Sequence, residues 1–296
     1  RLSTGCVAAG GTLGILIPPS TGFIVYAILT ETSIGKLFLA GMLPGILLAL
    51  LFILTIIVTT RLNPELGPPG PVRTLSDRLT SSAKAVPMLG IVLVTIGGIY
   101  SGIFTVSEAS GIGALLALLF ALYRRTLTWR TLQTALLNTM HTTAFVFLII
   151  IGAHVFAPFL ALSEIPQNLG AGIAALDLGR YGILAIILVC YIILGTFMEG
   201  FAILVLTLPI VDPLIRDFGF DPIWFGVVMV IVLEMGLISP PVGVNVFVVK
   251  GIAKDVPMGE IFKGILPFWL AMMVCLVLIV IFPEIAMFLP ETMVEN

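Results

Sequence analysis

Charge is what this chain has least of. Of 296 residues, 14 are Lys or Arg and 16 are Asp or Glu, so only 10% are charged, against roughly 25% in a soluble domain. The formal net charge of −2 gives no basic surface for nucleic acid, so no nucleic-acid partner is expected. Cysteine and histidine are almost as scarce. Cys6, Cys190 and Cys275 lie in apolar segments without metal or redox spacing, and we read them as small hydrophobes within spans. His141 and His154 stand 13 residues apart with no carboxylate spacing between them; packed, neutral histidines are expected. No His-Glu-x-x-His is present, which removes zincin-type metalloprotease chemistry. Ser101-Gly102 lacks the rest of a serine-nucleophile pattern.

What remains is apolar: 59% of the residues are hydrophobic, the balance of a multi-span membrane protein. Leu37–Thr60 and Ile265–Leu289 each read as one span. Ala85–Tyr100 and Phe104–Tyr123 read as two crossings, and Thr131–Leu162 as a long stretch interrupted at Gly152 and Pro158. Tyr181–Leu194 and Phe201–Leu214 flank Gly195-Thr-Phe-Met-Glu-Gly200, each half too short to cross, so a re-entrant hairpin over 195–213 is expected. Basic loops mark the cytoplasmic side. The stretches 61–84, 124–130 and 250–263 carry Lys or Arg, while the link 163–179 has Glu164 and Asp177 and no basic residue. The C-terminus is then expected outside.

Two stretches break their spans with paired prolines: Gly14-Ile-Leu-Ile-Pro-Pro-Ser-Thr-Gly22 and Gly236-Leu-Ile-Ser-Pro-Pro-Val-Gly-Val-Asn245. A Pro-Pro pair removes two backbone donors and pushes the preceding residue out of the helix. Broken backbone at membrane depth survives only when buried in protein or lining a polar cavity. A structural kink is the plainer alternative, but the motif is duplicated. At an offset of 222, Gly14, Leu16, Pro18 and Pro19 fall on Gly236, Ile238, Pro240 and Pro241; at 223, Gly41, Leu43 and Pro44 fall on Gly264, Leu266 and Pro267. The span after the first motif runs toward basic Arg61, and the span after the second leaves the basic stretch 250–263. The copies are therefore oppositely oriented, and inverted repeats with discontinuous helices are an architecture of secondary transporters. We expect residues 1–60 to end one repeat, 61–84 to be a cytoplasmic linker, and 85–296 to form the second repeat, with its broken helix over 223–250. The chain opens on Arg1 only 13 residues before Gly14, so a matching first hairpin is expected upstream.

Acids at membrane depth are functional candidates by default; Glu199 and Glu234 qualify, though an acid at a hairpin tip also serves as a cap. Asn245 can satisfy freed backbone or touch a solute. Thr105 and Glu108 have the spacing of a helix cap. An intramembrane enzyme or a passive channel are the alternatives to a transporter; two occluded midplane sites favour alternating access.

At several of these motifs the chain resembles the large membrane (M) subunit of TRAP (tripartite ATP-independent periplasmic) transporters, specifically its C-terminal portion. They are Ala8–Ser20, Thr30–Gly41, Gly97–Thr105 with Glu108, Gly219-Phe-Asp-Pro222 and Gly236–Asn245. The resemblance implies an all-α polytopic fold of the ion-transporter-superfamily type, working as an elevator in the bacterial inner membrane. It implies Na⁺-coupled import of small organic acids, delivered by a periplasmic substrate-binding protein, with a small membrane (Q) subunit as partner. No organic cofactor is implied. One Na⁺ site would use Gly14, Ile17 and Pro19; the other Gly195, Met198, Gly236, Ser239 and Val242. Substrate would be met by Pro18, Ser20, Thr196, Glu199, Gly200, Pro240, Pro241, Gly243 and Asn245. The family often has Thr where Ser239 stands and Asp where Glu199 stands; serine keeps the hydroxyl, and glutamate puts a longer acid at the hairpin tip.

Overall fold

The computed structural model describes residues 2–67, 86–164, 168, 172, 178–241, 243–253 and 255–293. Among them the fold is helical, with no strand. Contacts divide the chain into two compact units: 1–67 with 149–291, and 68–148 with 292–296.

The first unit is organised around α9 (Pro222–Leu237), in which every residue from Trp224 to Gly236 is buried. A helix apolar on all sides has no solvent face and belongs in the interior. Its start is fixed locally. Pro222 occupies the first turn, where its missing N–H costs nothing, and the Asp221 carboxylate accepts from the N–H groups of Ile223 (2.7 Å) and Trp224 (3.1 Å). Around it pack α1 (Leu2–Leu16), α2 (Thr21–Thr30), α3 (Ile34–Leu62), α7 (Arg180–Phe197), α8 (Gly200–Asp217) and α11 (Met258–Ile281). A short α10 (Val244–Ile252) and a terminal α12 (Glu284–Glu291) complete the unit. The packing is reciprocal: α1 lies on α11 as α9 lies on α3, α10 touches α1 as α2 touches α9, and α3 pairs with α11.

Both proline motifs break their helices. α1 ends at Leu16, and α2 restarts at Thr21, bent by 43°. Ser20 caps the restart, its Oγ accepting from Phe23 N–H at 3.4 Å. α9 ends at Leu237 and α10 begins at Val244 through Gly243, whose φ of +60° is left-handed backbone that glycine adopts without penalty. The Pro18–Pro19 and Pro240–Pro241 bonds are both cis.

Several boundaries differ from the sequence reading. α7 runs through Gly195 to Phe197, so the break falls at Met198-Glu199, and Pro209 and Pro213 lie inside α8. Each arm has 18 residues, about 27 Å of helix, so neither is as short as expected. Gly195 serves a close contact rather than a turn. α6 (Trp129–Leu162) passes Gly152 and Pro158 without interruption; a membrane helix tolerates one missing N–H when neighbouring groups re-satisfy the backbone. The last span is divided, because Phe282 before Pro283 is held extended (φ −122°, ψ 77°) and ends α11. His141 and His154 are exposed on α6 rather than packed.

In the second unit, α4 (Val86–Tyr100) packs on α5 (Val106–Tyr123). Gly98 makes room for the Phe104 ring. Thr105 and Glu108 form a complete capping box: Glu108 Oε2 accepts from Thr105 N–H (2.8 Å), and Thr105 Oγ1 accepts from Glu108 N–H (3.3 Å). That accounts for both residues structurally. α5 is long enough to cross a bilayer; α4, at 15 residues, is a shorter apolar helix. Among the described residues five helices are long and apolar enough to cross, six if the bent α1–α2 pair counts as one. The linker 61–84 lies outside the described residues beyond Gly67, as does most of 163–179.

One polar knot ties α8 to α2. Arg216 donates from Nη2 to the Thr30 carbonyl in the last turn of α2 (3.0 Å) and from Nε to Asp212 Oδ2 (2.8 Å). Asp212 Oδ1 is buried with no partner, so Arg216 is what holds this carboxylate. Arg216→Ala is expected to cost about 1–2 kcal/mol, between an exposed and a buried pair, seen as a lower melting temperature in detergent. Arg216→Lys is expected to recover only part of it, because a point charge cannot reproduce the guanidinium fork.

Candidate functional site

The site begins where α7 meets the end of α9. Gly195 and Gly236 touch backbone to backbone: a Cβ on Gly236 would lie 2.5 Å from Gly195 Cα, and one on Gly195 would lie 2.9 Å from Gly236 Cα. Only two glycines allow this approach, and it sets the hairpin tip against the second proline break. Just beyond, Ser239 is buried. Its Oγ donates to the Met235 carbonyl (2.6 Å) and accepts from Trp269 Nε1–H (2.8 Å). A hydroxyl has one donor and two acceptor lone pairs, so Ser239 keeps one lone pair for another group.

Ser239 lines a cavity of about 500 Å³ with Thr196, Pro240, Pro241, Phe262 and Trp269. The walls are mostly apolar. Thr196 donates its own hydroxyl proton back to the Ile193 carbonyl (2.7 Å). Pro240 and Pro241 have no N–H for the Gly236 and Leu237 carbonyls four residues earlier. Gly236 O takes Ser239 N–H instead, at 2.9 Å. Hydroxyl and carbonyl oxygens are what a hard monovalent cation takes. Among the described residues no cluster of three or more His, Cys, Asp or Glu would suit a transition metal. The oxygen donors present are of the kind a hard cation takes.

A second, smaller cavity of about 50 Å³ lies at the start of α8. It is lined by Glu199 and Gly200 of the hairpin tip, Glu234 of α9, and Ile15 and Gly22 flanking the first break. Glu199 caps α8, its Oε2 accepting from Ala202 N–H at 3.1 Å. Glu234 is 3% exposed, and its Oε2 has no hydrogen-bond partner.

The expected residues thus separate. Thr196, Ser239, Pro240 and Pro241 line the first cavity, while Gly195 and Gly236 meet each other and line neither; Glu199 and Gly200 fall at the second. Gly14, Ile17, Pro18, Pro19 and Ser20 line neither, although Ile15 and Gly22 beside them line the second. Met198 closes α7 through its N–H to the Leu194 carbonyl (2.9 Å). Gly243 makes the turn into α10, and Asn245 sits in the first turn of that helix, lining neither cavity. Val242 lies outside the described residues. Sequence reasoning missed Trp269 and Phe262. Their signal was present: 262, 265, 266 and 269 share one helical face.

A bundle of apolar helices with two proline-broken members and a glycine-packed hairpin defines a multi-pass membrane protein. The family profile described as "Tripartite ATP-independent periplasmic transporter, DctM component" matches residues 1–285, and the chain belongs to that family. It is 37% identical to the C4-dicarboxylate TRAP transporter large permease protein DctM of Pseudomonas aeruginosa, over 97% of this chain and 67% of that one. It is 34% identical to the sialic acid TRAP transporter large permease protein SiaM of Vibrio cholerae, with the same coverage. It is 33% identical to the isethionate TRAP transporter permease protein DctMQ of Oleidesulfovibrio alaskensis, over 97% of this chain but only 45% of that protein.

Proposed function

We propose that this chain forms ion- and substrate-binding parts of a Na⁺-coupled importer of small organic acids in the bacterial inner membrane. The carrying observation is the Gly195–Gly236 apposition with buried Ser239 beside it. It brings the end of α7 against the second proline break, with the Ser239 hydroxyl keeping one lone pair, and this supports the reading. One Na⁺ is assigned to Gly195, Met198, Gly236, Ser239 and Val242, the other to Gly14, Ile17 and Pro19. Thr196, Pro240 and Pro241 border the larger cavity and Glu199 and Gly200 the smaller; together with Pro18, Ser20, Gly243 and Asn245 they are the proposed substrate contacts. The relatives, whose names carry C4-dicarboxylate, sialic acid and isethionate, support an organic acid as the substrate.

The same reading gives the chain two inverted repeats, a re-entrant hairpin, an elevator movement and a C-terminus outside. The reciprocal packing of α1 and α9 on α11 and α3 supports the repeats. A periplasmic binding protein and a small membrane subunit are the proposed partners.

Ser239→Ala tests the ion assignment. Loss of one ligand is expected to raise the Na⁺ concentration for half-maximal uptake about tenfold, equal to about 1.4 kcal/mol, with maximal uptake largely kept. An unchanged Na⁺ dependence would remove Ser239 from the site.

A further inference from the structure

Glu234 is not accounted for by the packing of α9 or by the ion sites above. It stands on a helix otherwise apolar from Trp224 to Gly236, is 3% exposed, and leaves Oε2 without a partner. A buried carboxylate must be neutralised or paired, because an isolated charge in an apolar interior is too costly to keep. No Lys, Arg or His lines the cavity beside it; a second carboxylate, Glu199, does. The cavity's volume of about 50 Å³ is room for one or two waters, or one small ion with a water. Gly22 and Gly200 keep side chains out of that space.

We propose that Glu234 ligates a monovalent cation in this small cavity, between the hairpin tip at Glu199–Gly200 and the first helix break. The site is separate from the one assigned to Ser239. Two carboxylates without a basic neighbour select a cation, and oxygen-only ligands select a hard one. Glu199 Oε2 already accepts from the Ala202 N–H, so Glu234 is the carboxylate left without compensation, and a single positive charge balances it. This inference rests on the reading above only for the choice of Na⁺ as probe. The site would be made from both broken-helix regions at once, so its occupancy would tie the hairpin tip to the first break.

The experiment counts ions in the permease that carries this chain, purified in detergent, by equilibrium dialysis with ²²Na⁺. Glu234→Gln is expected to bind one Na⁺ fewer than wild type. Ser239→Ala reports on the other site. Loss in Ser239→Ala with none in Glu234→Gln would overturn this inference and leave the earlier one standing; the reverse would do the opposite. Should Glu234→Gln fail to fold, the wild-type protein decides. Dicyclohexylcarbodiimide labelling of Glu234, followed by mass spectrometry, is expected to slow about tenfold at a Na⁺ concentration ten times Kd, relative to choline. Labelling that follows pH and ignores Na⁺ would identify a proton as the counter-charge and overturn the proposal.

Discussion

Gly236→Ala is expected to remove Na⁺-dependent stabilisation of the permease and to lower its melting temperature by several degrees. The added methyl would lie 2.5 Å from Gly195 Cα and 2.7 Å from Gly195 C. Both are backbone atoms, so no rotamer change relieves the clash, and α7 must move away from α9. Overpacking of this kind costs about 1–3 kcal/mol. The functional loss is expected to exceed the loss of stability. The same displacement carries Thr196 away from Ser239, its neighbour in the cavity wall, and an ion site misplaced by about 1 Å loses its geometry. Gly251→Ala is the control: nothing lies within 4 Å of its added Cβ, and in helix α10 alanine is preferred. The measurement is thermal unfolding in Na⁺ and in choline. Equal Na⁺-dependent shifts in Gly236→Ala and wild type would show that the glycine contact does not position the ion site.

The proline breaks were legible in the sequence because their cause is local. Two missing donors interrupt the ladder wherever the pair stands, and scarcity of charge put both pairs at membrane depth. Caps were legible for the same reason: Thr105 and Glu108 hold their box with no help from the rest of the fold. Continuity was not. Pro158, Pro209 and Pro213 remain inside helices, because tertiary neighbours and membrane depth decide whether a lost bond ends a helix. Gly195 reads as a breaker in a one-dimensional pattern, yet its purpose is set by Gly236, 41 residues away in sequence. Trp269 was hidden for a related reason. An aromatic residue in an apolar span looks like any other until the position of Ser239 gives its N–H a partner. Glu234 could be flagged as an acid at membrane depth, but that no cation faces it required the cavity walls.

Gly5→Ala is expected to be the most damaging glycine-to-alanine substitution in α1. Its Cβ would stand 2.1 Å from the Gly264 carbonyl oxygen and 2.3 Å from the carbonyl carbon, closer than any van der Waals contact allows. Gly5, Ala9 and Thr12 are buried along the same helix, a run of small residues at the spacing that lets membrane helices approach closely. This contact joins α1 to the start of α11, and α11 carries Phe262 and Trp269, two walls of the larger cavity. Pushing α1 outward therefore disturbs the site through α11. A cost of about 1–3 kcal/mol is expected, with a lower melting temperature. Weaker Na⁺-dependent stabilisation should follow, because Trp269 no longer meets Ser239 at hydrogen-bond distance. Gly10→Ala is the internal comparison: it lies on the same helix with open space around its Cβ, and alanine there gains helix propensity. If the two substitutions shift the melting temperature alike, the α1–α11 contact is not what holds this side of the site, and the wall formed by Trp269 must be fixed from within α11.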